Sequence, residues 1–153
     1  MTTRTALTPK ILTANGSIVN MLNDGTSMTA VDNTNGMSVA IPTTGFPAGG
    51  SIDRLLLLFL NTNSTGRTVT VRAATPDGGN AKTGAGTSSP AFTYPSFEAG
   101  KGDLTTSAMT GTTGLGIVGP FEVARFMQPD GTICFDVSGA TGFVVALLLP
   151  RSL

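Results

Sequence analysis

The chain has 153 residues, nine basic and nine acidic side chains for a formal net charge of +0, 40% apolar residues and 12% charged ones. That length suits one domain with one real core. The charge is about half of the ~25% usual for soluble domains and leaves no basic face for nucleic acid.

Residues 1–16 are Thr-rich and show no periodicity. They read as an extended N-terminal arm that orders against a partner, followed by a single β-sandwich domain over 17–153. The first residues carry no apolar stretch of the kind a secretory signal needs, so synthesis in a cytoplasm is expected. Asn15-Gly16 and Asn23-Asp24-Gly25 are turn signals, with a short strand expected over 17–22 between them and another over 37–41. Pro42 to Gly50 is a loop with two prolines and three glycines.

The run 54–60, RLLLLFL, predicts a strand apolar on both faces. A half-solvated strand would alternate, so something must cover its second face. After the turn at 61–66, residues 67–72 alternate, with Val69 and Val71 on one face and Thr68 and Thr70 on the other. The two runs together predict a β-hairpin with a longer loop. Residues 73–113 form a long Gly/Ser/Thr-rich insertion, in which Pro95 restricts the aromatic stretch 91–97 to an edge or a loop. An insertion of this length in a compact domain is expected to be either functional or mobile.

A short apolar run at 115–118 precedes the Gly119-Pro120 break, and one helical turn fits near 123–127. Strands over 132–137 and 143–149 make a second predicted hairpin, and the latter is again apolar on both faces. Short strands with turns every eight to twelve residues, rich in Thr and Val and broken by Gly and Pro, predict an all-β fold. The expected form is an antiparallel β-sandwich, jelly-roll-like or Ig-like. Neither apolar run approaches the ~20 residues needed to span a bilayer as a helix, so no membrane partner is expected.

The chain offers little to catalysis. It has no histidine, which removes Ser-His-Asp and Cys-His chemistry and the usual zinc ligand sets. The single cysteine, Cys134, excludes an intrachain disulfide and reads as a small buried hydrophobe within a strand. Gly114-Leu115-Gly116-Ile117-Val118-Gly119 matches G-x-G-x-x-G in letters. That motif works only where a helix opens at the glycines to hold a pyrophosphate, and Pro120 follows here instead.

The acidic loop Asp32-Asn33-Thr34-Asn35-Gly36 has the wrong spacing for a calcium loop and reads as an Asx-type turn. Asp130, in an Asp-Gly turn, and Asp136, on the polar side of a strand, are the nearest candidates for a carboxylate pair. Both have ordinary structural explanations. No catalytic, metal or cofactor site is therefore expected, and the protein is read as a non-enzyme.

Several motifs in fixed order resemble a known family. These are the Leu-rich run 55–60, Asn61-Thr62-Asn63, and Arg67-Thr68-Val69-Thr70-Val71. They continue with Gly119-Pro120-Phe121, Phe126-Met127-Gln128, Asp130-Gly131-Thr132-Ile133, and finally Asp136-Val137-Ser138-Gly139-Ala140-Thr141-Gly142-Phe143-Val144-Val145-Ala146. Together they cover about half the chain and resemble the head decoration, cement or minor capsid proteins encoded beside the major capsid protein in tailed bacteriophages. The insertion is longer than the family connection, and the N-terminal arm has no counterpart.

The resemblance implies a β-sandwich on the exterior of a capsid. Its partner there is the major capsid protein, and it often self-associates as a trimer or at another local symmetry axis. On this reading the arm and the loop 82–97 supply the interface, through Thr2, Thr3, Arg4, Thr5, Lys10, Phe92, Tyr94 and Phe97. The competing reading is a glycan-binding sandwich. The absence of Trp and the single Tyr leave it few aromatic platforms.

Overall fold

A computed structural model describes residues 3–12, 28–41, 52–73, 102–109, 114–128, 130–139 and 141–150. The strand expected at 17–22, the loop 42–50 and most of the insertion, 74–101, lie outside the described residues. The rest is all-β, built from two mixed five-stranded sheets. The strands in chain order are β1 (Thr5–Leu7), β2 (Lys10–Ile11), β3 (Thr29–Ala30), β4 (Met37–Ala40), β5 (Leu55–Asn61), β6 (Val69–Val71), β7 (Leu104–Thr105), β8 (Gly114–Val118), β9 (Thr132–Val137) and β10 (Phe143–Leu148). One helical turn, α1 (Val123–Phe126), stands where a turn was expected.

The first sheet runs β1-β4-β9-β6-β7. The second runs β2-β10-β5-β8, with β3 also paired to β10. Their inner faces share one core. Leu55, Leu57, Phe59, Val144, Ala146 and Leu148 from the second sheet meet Met37, Val39, Val69, Val71, Ile133 and Phe135 from the first. Phe59 and Phe135 touch edge to face across the sandwich, with ring centroids 5.5 Å apart, a favoured aromatic arrangement. Phe121, shortly before α1, and Phe126, its last residue, touch edge to face and join the same core.

Three expectations need correction. First, the pair 54–60 and 67–72 is not a hairpin. β5 pairs with β10 and β8, whereas β6 pairs with β9 and β7, so residues 62–68 carry the chain from one sheet to the other. The pair β9 and β10 separates the same way. Turn chemistry alone does not distinguish a hairpin from such an arch. The cue lies in the strands, because each doubly apolar strand, β5 and β10, takes the other as its neighbour.

Second, the sheets are mixed rather than purely antiparallel, because β1 joins β4 and β2 joins β10 in parallel. Third, within the segment expected to order against a partner, the described residues 3–12 pair with this chain's own sheets. It is extended, but β1 borders one sheet and β2 the other, with Leu7 in the core.

Arg4 shows why that segment is held. Gly36 lies beside Arg4 on one side and Asp136 on the other, along the outer face of the first sheet. Arg4 Nη1 reaches over Gly36 and donates to Asp136 Oδ1 at 2.7 Å and to the Phe135 carbonyl at 3.1 Å. A Cβ at position 36 would overlap both charged groups, and its φ of +74° also favours glycine. Asp136 accepts from Arg72 Nε at 2.6 Å, and Arg72 Nη1 donates to Asp103 at 2.6 Å. Asp103 also accepts from the Ala73 amide. One alternating chain of charges thus ties together the N-terminal segment, β9, the end of β6 and the entry to β7.

The Arg4 and Asp136 side chains are 2% and 10% exposed, so removing one partner strands the other. Asp136→Ala should cost about 3–5 kcal/mol in urea unfolding. Asp53→Ala, on a side chain 62% exposed, should change stability by less than about 0.5 kcal/mol. Equal losses for the two variants would refute the bracing role of the charge chain.

Candidate interaction surface

Of the residues expected to act, Thr3, Arg4, Thr5 and Lys10 are described. Arg4 is spent on the internal ion pair with Asp136. Thr5 donates through Oγ1 to Asp32 Oδ2 at 2.7 Å. Lys10 belongs to β2, opposite Leu147, and Thr3 is exposed beside Arg4. Thr2, Phe92, Tyr94 and Phe97 lie outside the described residues. Arg4 and Thr5 therefore do internal work, because strand pairing brings Arg4 and Asp136 together across 132 positions of sequence. No local pattern announces such a pair.

The other motifs resolve into ordinary structure. Asp32 Oδ1 accepts from the amides of Thr34 and Asn35, both at 2.9 Å, which is the Asx turn expected there. These backbone amides, with Thr5 Oγ1 and the Asn35 side chain, hold the Asp32 carboxyl well below its ordinary range. Asp130 accepts from both the amide and the hydroxyl of Thr132 and so fixes the turn into β9. The letters G-x-G-x-x-G fall mostly within β8, and α1 begins only at Val123. Cys134 is buried, and desolvation pushes its thiol upward. Burial alone would lower the Arg72 pKa, but the hydrogen bonds and charges of Asp103 and Asp136 outweigh it.

Among the described residues, four of the five exposed large apolar side chains, Ile11, Leu115, Ile117 and Phe143, lie on the second sheet. Its outer face carries Leu56, Leu58 and Leu60 from β5, Phe143, Val145 and Leu147 from β10, and Leu115 and Ile117 from β8. Strand pairing arranges these in rows, with Leu115 beside Leu60 beside Phe143, and Ile117 beside Leu58 beside Val145. Toward β2 the face is covered from within this chain, since Leu12 and Met28 pack on the cluster of Leu58, Val145 and Leu147. Toward β8 it is open, with Leu115 59%, Ile117 61% and Phe143 40% exposed. Neither of these two rows holds a charged side chain; the row of Leu56 and Leu147 ends at Lys10. An open run of large apolar groups marks a contact surface more often than a free one.

Sequence reasoning identified the doubly apolar strands and asked what covers their second face. It missed Leu115 and Ile117 as part of the answer, because β8 reads Gly-Leu-Gly-Ile-Val and its outward alternation is hidden among glycines. Gly116 is needed on the inner side, where the Met109 side chain occupies the place of a Cβ. No family model, curated protein or solved structure matches the chain.

The Asx turn has a pH signature. The folded Asp32 pKa lies below its unfolded value of 3.8. Its stabilising contribution is therefore complete above that value and is lost as the pH falls toward the folded pKa. Asp32→Asn should be less stable than the parent at pH 6, and the gap should narrow steadily below pH 3.8. Denaturant melts of both proteins across that range check this, and a gap constant with pH would refute it.

Proposed function

We propose that this protein is a structural component of a tailed-phage virion. It binds the outer surface of the assembled head and stabilises it by bridging subunits of the major capsid protein. The observation that carries this reading is the uncharged apolar face formed by Leu60, Phe143, Leu115 and Ile117 on a sandwich braced by buried ion pairs. A cementing module needs a stiff body that does not yield under load, together with a surface that joins its partner with little desolvation of charge. The ordered motifs that resemble head decoration proteins support the same role. Many copies on one shell then act multivalently, so a modest contact per copy suffices.

We seek the interface away from the N-terminal segment. With Arg4 and Thr5 engaged internally, the contact is assigned to the outer face of the second sheet rather than to the N-terminal segment. Its place is the capsid exterior.

Purified protein mixed with expanded, undecorated heads should bind saturably and raise their resistance to heat. The double variant Leu60→Ser/Phe143→Ser should keep its circular dichroism and lose about tenfold or more in binding, as expected for removing two apolar contacts. Absence of binding to expanded heads would overturn the role, and unchanged binding by the double variant would overturn the assigned face.

A further inference from the structure

The borders of the two sheets are guarded unequally. Natural sheet edges are kept from pairing with other chains by short length, charge, proline or cover. β1 spans three residues, with Arg4 before it and Pro9 soon after. β2 spans two residues and carries Lys10. β7 spans two residues and follows Asp103, which is paired with Arg72. β8 has none of these protections. It spans five residues, Gly114 to Val118, holds no charge or proline, and among the described residues pairs on one side only, with β5. Its two most exposed side chains, Leu115 and Ile117, are both apolar.

We propose that β8 is a self-association edge, and that two copies of this chain pair β8 to β8 antiparallel about a twofold axis at Gly116. The occupant follows from three properties of the strand. The backbone groups on its other side, unpaired among the described residues, call for another extended chain. Its lack of charge gives a charged segment nothing to pair with, while a second β8 approaches without repulsion.

Its alternation is also self-complementary. A twofold at Gly116 sets Leu115 of each copy opposite Ile117 of the other, on the same outer face. The two second sheets then become one continuous sheet, and the four most exposed apolar side chains cover one another. Such an interface is isologous and closes at two copies.

The size of the contact sets its strength. A five-residue edge is roughly 17 Å long, and its contact falls short of the roughly 1,200 Å² of a stable standard interface. Pairing is accordingly weak between free copies and complete where copies are held side by side. This inference stands apart from the capsid role, because it concerns the free protein and is tested without heads.

Sedimentation equilibrium of the full chain should show the average mass rising above the 15.5 kDa monomer as concentration approaches about 1 mM, the range of weak association. Ile117→Lys should shift that rise by about tenfold or more in concentration, through lost apolar burial and a charge on the edge. Ile117→Thr, which retains strand propensity, should shift it in the same direction and guards against a folding defect in the lysine variant. An equimolar mixture of Leu115→Cys and Ile117→Cys proteins under mild oxidation should give mainly the mixed disulfide dimer. A strictly monomeric parent at about 1 mM, association unaffected by both Ile117 variants, or no preference for the mixed disulfide would each overturn the proposal.

Discussion

The charge chain Arg4–Asp136–Arg72–Asp103 is the constraint on which much of this fold depends. A carboxylate at Asp136, in the central strand of the first sheet, is tolerable only because two guanidiniums meet it, one from each side. One of them comes from the N-terminal segment. Holding Arg4 in place brings β1 alongside β4, and the chain then passes on to β2 at the border of the second sheet. The same requirement dictates glycine at position 36, where any side chain would block the approach. Few charges are present in this sequence, and several of the most informative are buried against one another on the outer side of the first sheet.

The two sheets have opposite outer characters. The first is polar, with Ser38, Thr70 and the charge chain on its outer side. The second is apolar on both sides, because β5 and β10 are Leu- and Val-rich throughout. Its inner residues join the shared core. Its outer residues are covered by Leu12 and Met28 at one border and left open at the β8 border. A two-layered body with one polar and one apolar exterior suits the proposed attachment to a capsid, in which the polar side would face water.

The strands themselves were largely legible in the sequence. The alternation at Val69 and Val71 and at Ile133, Phe135 and Val137 specified both the strands and their inward residues. The Asx turn at Asp32 and the turn at Asp130 followed from local hydrogen-bonding chemistry. The pairing partners of the N-terminal strands and the arches in place of hairpins were not legible. In the Thr-rich segment, β1 holds one leucine, Leu7, and shows no period over its three residues, and its pairing is decided by Arg4. A loop of Asn, Thr, Ser and Gly serves a hairpin or an arch equally well. Arg4, placed at the expected partner surface by its position near the terminus, proved to be a core brace.

The sequence alone determined that the chain would be all-β, that β5 and β10 would need cover on two faces, and that the glycine and acidic motifs lacked their functional context. These follow from periodicity and local chemistry, which act over a few residues. Only the tertiary structure decided which sheet each strand joins, that the N-terminal segment belongs to both borders, and that Leu115 and Ile117 stand open at the edge of β8. Those outcomes rest on contacts between residues far apart in the chain, such as Arg4 with Asp136 and Leu60 with both Leu115 and Phe143. Their energies exist only once the two sheets have packed.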